Sequence, residues 1–308
     1  MIYAELSGGL GNQMFIYAFA RAMGLTCHED VTLIDRRDWK NGAPAHTALA
    51  LDALAVSPEV KVLADPGFAK AHLPVQNTAK ALMIKYEQRK GLMSRDWQPF
   101  EAKMAPLLNT LGLHFATEGY TPARRGRARD FLAWGYFQSE EYFVSQAETL
   151  RRELTPKESF DPETAALAAK VEHTACPVCL HWRCGDYFKP ENAALQVCSP
   201  AYYARACKAL REKSPDAELF VFSDDLDYVR QNLDPAGLPV HWMDGHRTAA
   251  QDLALMRRCR AFIMSNSTFS WWGQWLAQDK TVFAPDRWYT NGKKTALYQE
   301  NWNLIPTE

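Results

Sequence analysis

Cys179-Leu180-His181-Trp182-Arg183-Cys184-Gly185-Asp186-Tyr187 reads as the end of an apolar strand running into a turn that carries an arginine, a glycine and an aspartate. Downstream, Ser199-Pro200 sets a capping hydroxyl before a proline whose missing N–H is harmless at the first helical position, which predicts a helix to about Lys213. Leu219 to Phe222, Val240 to Met243, Phe262 to Met264 and Val282 to Ala284 follow as short strands, separated by helical stretches at 225–233, 249–260 and 267–278. Strands that return in the same direction need a helical crossover, so this alternation predicts a parallel, doubly wound sheet.

The first half opens in the same way, with a strand at 2–6, a glycine turn, a helix from about Asn12 to Gly24 and a strand at 31–35. Two similar α/β domains are therefore expected. Between residues 40 and 130 the pattern fades to helical tendencies near 79–90 and 99–111. The helical run 141–154 precedes Pro156 to Pro162, the expected inter-domain linker, which divides the chain into domains 1–155 and 156–308. Internal repeats and low-complexity tracts are absent from the sequence.

At 308 residues, two domains can each bury a substantial core. The balance of 35 basic against 36 acidic residues gives no electrostatic reason to expect a nucleic-acid partner. Arg124, Arg125, Arg127 and Arg129 form the one local exception, readable as a solvated loop or as an attraction to an anionic membrane surface or acidic glycolipid. Met1 to Leu6 lacks the basic and apolar regions of a signal or anchor, and no segment is long and apolar enough to span a bilayer. The expectation is a cytoplasmic protein with peripheral membrane contact at most. Seven cysteines scattered through strands and helices read as reduced thiols.

Four constellations could carry chemistry. Ser7-Gly8-Gly9-Leu10-Gly11-Asn12-Gln13 joins the first strand to the first helix, where free N–H groups and the helix dipole favour a phosphate. A dinucleotide fingerprint would need glycine where Met14 stands, although Asp35 at the next strand end keeps an NAD-dependent oxidoreductase in view, and a merely tight turn is the plain alternative. Asn12 and Gln13 add amides suited to sugar hydroxyls or phosphate oxygens.

Arg183, just past a strand end, suits a diphosphate because a planar guanidinium grips two oxygens and keeps its charge. Asp186 reads either as its ion-pair partner or as a catalytic group. Ser265-Asn266-Ser267-Thr268-Phe269-Ser270-Trp271-Trp272 supplies more hydroxyls at a helix start than capping needs, suggesting a second phosphate cradle. Phe222-Ser223-Asp224-Asp225-Leu226-Asp227 imitates a metal-binding Asp-x-Asp at Asp225 and Asp227, but an N-cap or a nucleotide contact also accounts for it. Asp252, in a later helix, either faces the nucleotide or lies exposed.

Cys176, Cys179, His181 and Cys184 resemble zinc ligands only superficially, since strand alternation sends neighbours to opposite faces. His28, His46, His72, His114 and His173 carry no pattern. Most of the ten tryptophans, Trp134, Trp271, Trp272 and Trp288 among them, are core residues by size, although any could stack on a sugar.

In this order and spacing, Gly8 to Phe15, Trp134-Gly135-Tyr136-Phe137-Gln138-Ser139, His181-x-Arg183-x-Gly185-Asp186-Tyr187, Phe222 to Asp225 and Ser265 to Trp272 resemble the bacterial α-1,2-fucosyltransferases of glycosyltransferase family 11. The resemblance runs from residue 1 to about 290. It implies a GT-B fold of two facing Rossmann-like domains, the C-terminal one binding GDP-fucose and the N-terminal one a galactose-containing oligosaccharide or glycolipid acceptor, with no metal or other cofactor.

By the same resemblance His181 and Arg183 belong to the donor-binding motif, with Arg183 meeting the diphosphate. Ser265, Asn266, Ser267, Thr268 and Phe269 line the pyrophosphate, with Gly9, Gly11, Asn12 and Gln13 across the cleft and Ser223 and Asp224 on the donor side, where Asp252 is a further candidate outside the family motifs. The implied reaction is inverting transfer of L-fucose to the 2-hydroxyl of galactose, with Arg183 stabilising the leaving group and Asp186 nominated as base. Cys184 departs from the family pattern, which has a second arginine there, and a neutral thiol cannot replace that charge. That departure keeps a sugar-nucleotide-binding protein without turnover in view, and the Asp225-x-Asp227 pattern keeps a metal-dependent transferase as the other alternative.

Overall fold

The computed structural model describes residues 1–35, 49–65, 67–91, 96–117, 119–157 and 160–308, so His46 and residues 158–159 of the linker lie outside the described residues. Contacts divide the chain into two compact units, Met1–Thr155 with Thr295–Leu297, and Pro156–Lys294 with Tyr298–Glu308.

The first unit contains β1 (Ile2–Leu6), α1 (Leu10–Cys27), β2 (Val31–Asp35), β3 (Lys61–Leu63), α2 (Phe68–His72), α3 (Pro74–Lys90), α4 (Gln98–Thr110), β4 (Leu113–Ala116), β5 (Phe131–Gly135) and α5 (Ala147–Glu153). Its strands form a five-stranded parallel sheet in the order β3-β2-β1-β5-β4. The first helix starts earlier and ends later than the sequence suggested. Gly9 is extended (φ −75°, ψ −178°) and its carbonyl accepts the Gln13 N–H at 3.0 Å, so helical bonding begins there. Gly24 does not end the helix; it lets α1 approach β2, since a Cβ there would stand 2.4 Å from Val31 Cγ2. The chain turns at His28, whose left-handed backbone (φ 55°) directs its N–H to the Gly24 carbonyl.

The helical tendencies at 79–90 and 99–111 correspond to α3 and α4, whereas β3, β4 and β5 were not legible in the sequence pattern. The helix expected over 141–154 is confined to α5, preceded by 3-10 turns at Glu140–Tyr142 and Val144–Gln146.

The second unit contains α6 (Pro162–His173), β6 (Cys176–Trp182), α7 (Pro200–Lys213), β7 (Ala217–Ser223), α8 (Leu226–Asn232), β8 (Val240–Trp242), α9 (Ala249–Met256), β9 (Ala261–Ile263), α10 (Thr268–Leu276), β10 (Thr281–Pro285) and β11 (Asn303–Ile305). All six strands are parallel, in the order β11-β10-β9-β6-β7-β8. Ser199 caps α7 by accepting from the Tyr202 N–H, as the Ser-Pro pair implies. Val178, Leu180 and Trp182 alternate along β6 into a core with Tyr203, Leu210, Leu219 and Val221, and Trp182 stacks on Tyr203 at 3.8 Å. Both units are thus α/β with parallel sheets, the fold class expected.

Candidate functional site

In the second unit, β7 and β8 extend the sheet on one side of β6, and β9, β10 and β11 extend it on the other. The crossovers therefore diverge between β6 and β9, leaving a crevice at the carboxyl ends of the strands where ligands of such sheets bind. The turns that follow β9, β6 and β7 carry three of the sequence motifs, and sheet order makes them neighbours.

Arg183 is the hub. Its Nη1 lies 2.8 Å from Asp224 Oδ2 and its Nη2 2.5 Å from Asp186 Oδ1, and the guanidinium stands 5.9 Å from the centre of the Tyr187 ring. Burial disfavours charge on Arg183, but Asp224 and Asp186 outweigh that and hold its pKa above the usual value. Asp224 also accepts the Cys184 N–H through Oδ1 at 2.8 Å. Gly185 (φ +29°) makes this possible, because a Cβ there would stand 2.2 Å from Asp224 Oδ2. The guanidinium carries five N–H donors, more than these two contacts engage.

Cys184 points into the core, fully buried, with its sulfur 3.7 Å from Ser223 Oγ. Burial pushes its thiol up to about 11, with the Ser223 contact opposing. Ser223 itself accepts the Asp225 N–H at 3.0 Å, which shapes the turn after β7.

On the opposite face of β6, His181 Nδ1 meets Ser270 Oγ at 2.5 Å and Ser265 Oγ at 3.2 Å, and the two hydroxyls stand 3.1 Å apart. Burial, with Arg183 adding to it, lowers the His181 pKa to about 3, so the imidazole is neutral. Phe269 lies against it, ring centres 5.7 Å apart. Ser267 caps α10 by accepting the Phe269 N–H, and Thr268 begins the helix, whose first N–H groups have no carbonyl a turn earlier to receive them.

Asn266 does something the sequence did not disclose. Its amide donates to the carbonyls of Leu195 and Trp288, each at 2.9 Å, while its own carbonyl accepts from Tyr187 Oη. It ties the turns after β6 and β9 together, so its side-chain donors are already committed to the protein.

The remaining candidates stand apart from this hub. Asp225 caps α8 by accepting the Tyr228 N–H, and Asp227, highly exposed, approaches Arg230 at 3.5 Å. Asp252 accepts from Arg247 Nε at 2.7 Å, and Arg247 also donates to the carbonyls of Met243 and Asp244. Burial raises the Asp252 pKa against the pull of Arg247. Asp252 thus pins the loop after β8, and the buried Arg247 that it holds was not legible as a partner. Among the described residues no group of three or more histidine, cysteine, aspartate or glutamate side chains is arranged to hold a metal ion. The zinc-like set is split by β6, with Cys176 and Cys184 on the Trp182 side and Cys179 and His181 on the other.

In the first unit the strand order again diverges beside β1, so the glycine turn after β1 neighbours the turn after β5. Gln138 Nε2 donates to Asn12 Oδ1 at 3.0 Å and joins the two motifs. Gln13 is buried: it donates to the Gly8 carbonyl at 2.9 Å and accepts the Ala50 N–H at 3.1 Å, so it braces the turn. Gly9 is the N-cap of α1 and Gly11 lies in its first turn. Gly135 (φ +144°) is required at the end of β5, where a Cβ would fall 1.6 Å from the Ala116 carbonyl oxygen. Asp35, the candidate ribose contact, is buried at the end of β2.

The chain is 28% identical over 297 residues to an Escherichia coli protein named alpha-1,2-colitosyltransferase, covering 94% of this chain and 92% of that one. It is 25% identical to galactoside alpha-(1,2)-fucosyltransferase 1 of Alouatta caraya over 66% of this chain and 62% of that protein. Its fold is similar to that of the fucosyltransferase NodZ from Bradyrhizobium, with a TM-score of 0.54 at 13% identity over 90% of this chain and 92% of that one. Residues 1–306 match the family model for Glycosyl transferase family 11. With both Rossmann-like sheets and all five motif turns inside that match, the chain belongs to glycosyltransferase family 11.

Proposed function

We propose that the protein transfers L-fucose from GDP-β-L-fucose to the 2-hydroxyl of a galactose residue in an oligosaccharide or glycolipid, inverting the anomeric centre and using no metal ion. The observation that carries this reading is the cluster around Arg183: a guanidinium fixed by Asp186 and Asp224, beside a serine-rich helix start, at the switch point of a parallel sheet. That arrangement suits a nucleoside diphosphate leaving group, because the Arg183 cation and the N–H groups at the start of α10 are the kinds of donor that stabilise developing negative charge.

In the proposed reaction the acceptor oxygen bonds to the anomeric carbon as the bond to the β-phosphate oxygen breaks and GDP departs. Asp186 receives the acceptor proton through Oδ2, since Oδ1 is held by Arg183. The second unit holds the donor and the first unit the acceptor. Neutral His181 holds the serine pair Ser265 and Ser270 in register and does not serve as a base at neutral pH. The relative named a colitosyltransferase supports a second reading, in which the transferred sugar is colitose and the rest of the reaction is the same.

The test is transfer from GDP-fucose and GDP-colitose, side by side, to a β-galactoside acceptor in EDTA, with the product linkage read by NMR. An α-1,2-fucosylated product formed at an undiminished rate supports the proposal. Product from GDP-colitose alone replaces the donor, whereas complete loss in EDTA restored by manganese sinks the metal-free mechanism. Donor binding with neither transfer nor hydrolysis overturns turnover itself.

A further inference from the structure

We propose that one face of the first unit, formed by α3, α4 and the loop 122–130, docks on an anionic lipid bilayer. Between α3 and α4 runs an apolar groove of about 490 Å³ whose lining includes Met83, Tyr86, Phe100, Leu107 and Leu111. Leu82 and Leu107 on its rims are 64% and 58% exposed, far more than isolated core-forming leucines retain.

The exposed charges on the two helices have one sign, with Asp96 just before α4 and the part-exposed Asp130 of the loop as the acidic neighbours. The exposed charged residues of α3 and α4 are Lys85, Arg89, Lys90 and Lys103, while the acidic residues of the same helices, Glu87 and Glu101, are fully buried. The basic run noted in the sequence joins this face. Gly126 lies so close to the end of α4 that a Cβ on it would stand 2.3 Å from the Asn109 carbonyl oxygen, and Gln76 of α3 donates to the Asp130 carbonyl. Arg125 is committed to Glu29 and to three carbonyls, which leaves Arg124, Arg127 and Arg129 exposed on the loop that meets the end of α4 and the start of α3. Exposed leucines and an amphipathic tyrosine flanked by cations match the boundary between acyl chains and anionic headgroups, and a second protein with a basic surface would be repelled.

Co-sedimentation of the full chain with vesicles of phosphatidylcholine, with and without phosphatidylglycerol, tests this. The expected result is partition onto the anionic vesicles only, reduced at least tenfold by Leu107→Glu and by Leu82→Glu. Each of Arg124→Ser and Arg127→Ser should lower it by about fivefold, the contribution of one basic residue near such a surface. All four positions are exposed, so unchanged thermal midpoints will show that the variants fold. Absence of partition at low salt overturns the proposal, as does partition that the leucine variants leave unchanged. A concentration-dependent dimer that Leu107→Glu dissolves, with vesicles unbound, also overturns it and assigns the face to a second copy of the chain.

Discussion

Gly185→Ala puts the Arg183 cluster to a quantitative test. The added methyl would meet Asp224 Oδ2 at 2.2 Å, so the carboxylate has to swing away from the Cys184 N–H, which also loosens its hold on Arg183. Losing a hydrogen bond to a charged group costs about 1.5–3 kcal/mol. Holding an alanine in a left-handed backbone adds about 1–2 kcal/mol. The single variant is therefore expected to lose about 2.5–5 kcal/mol of stability in urea unfolding. In an Asp224→Ala background the clash has no partner, and the same substitution should cost only the backbone strain of about 1–2 kcal/mol. The coupling read from the four-protein cycle is then about 1.5–3 kcal/mol, and GDP affinity by calorimetry should fall in parallel with the loss of Arg183 alignment. Equal costs in the two backgrounds would refute the argument, because they would mean that Asp224 is not what Gly185 accommodates.

Asn266→Ala should destabilise the second unit by about 2–4 kcal/mol, since it strands two carbonyls that the amide now satisfies; loss of GDP binding at unchanged stability would show instead that Asn266 serves the ligand. His114, buried against Phe19 and Phe137, is lowered by burial to about 3, like His181. Between about pH 3 and 6.5 unfolding takes up a proton at each site, so their contribution to stability is complete above pH 6.5 and is lost as pH falls below it. His114→Phe is expected to lower the proton uptake on unfolding near pH 5 by about one, and no change would show that His114 is already charged in the fold. Cys184, with its thiol raised to about 11, should resist iodoacetamide at pH 8 in the native protein and react only on unfolding; rapid native alkylation, read by mass spectrometry, would contradict its burial.

The reading of the sequence succeeded where chemistry is local. Ser199-Pro200 caps and starts α7 through one hydroxyl and one absent N–H, and Val178, Leu180 and Trp182 declare a buried strand by alternation. It faltered over residues 40–130, where β3 and β4, of three and four residues, lack the regular strand–helix alternation that made the equally short β8 and β9 legible. Within the candidate site, residue types were legible but commitments were not. Asn266 and Gln13 were both read as ligand donors, yet the Asn266 amide is occupied by carbonyls of distant segments, and the Gln13 amide by its own turn's Gly8 carbonyl and the distant Ala50 N–H. Asp224 looked like a cap or a nucleotide contact until the fold brought it to Arg183.

The sequence by itself determined the alternation of strands and helices, the parallel sheets that follow from it, the motifs and their order, because hydrophobic period, capping and turn chemistry act between near neighbours. Only the tertiary structure decided that β6 lies between β9 and β7, and hence that three turns distant in sequence meet at one switch point. It alone decided which of their polar groups are already bonded, because hydrogen-bond satisfaction in a buried site depends on groups brought together by packing and not by proximity along the chain.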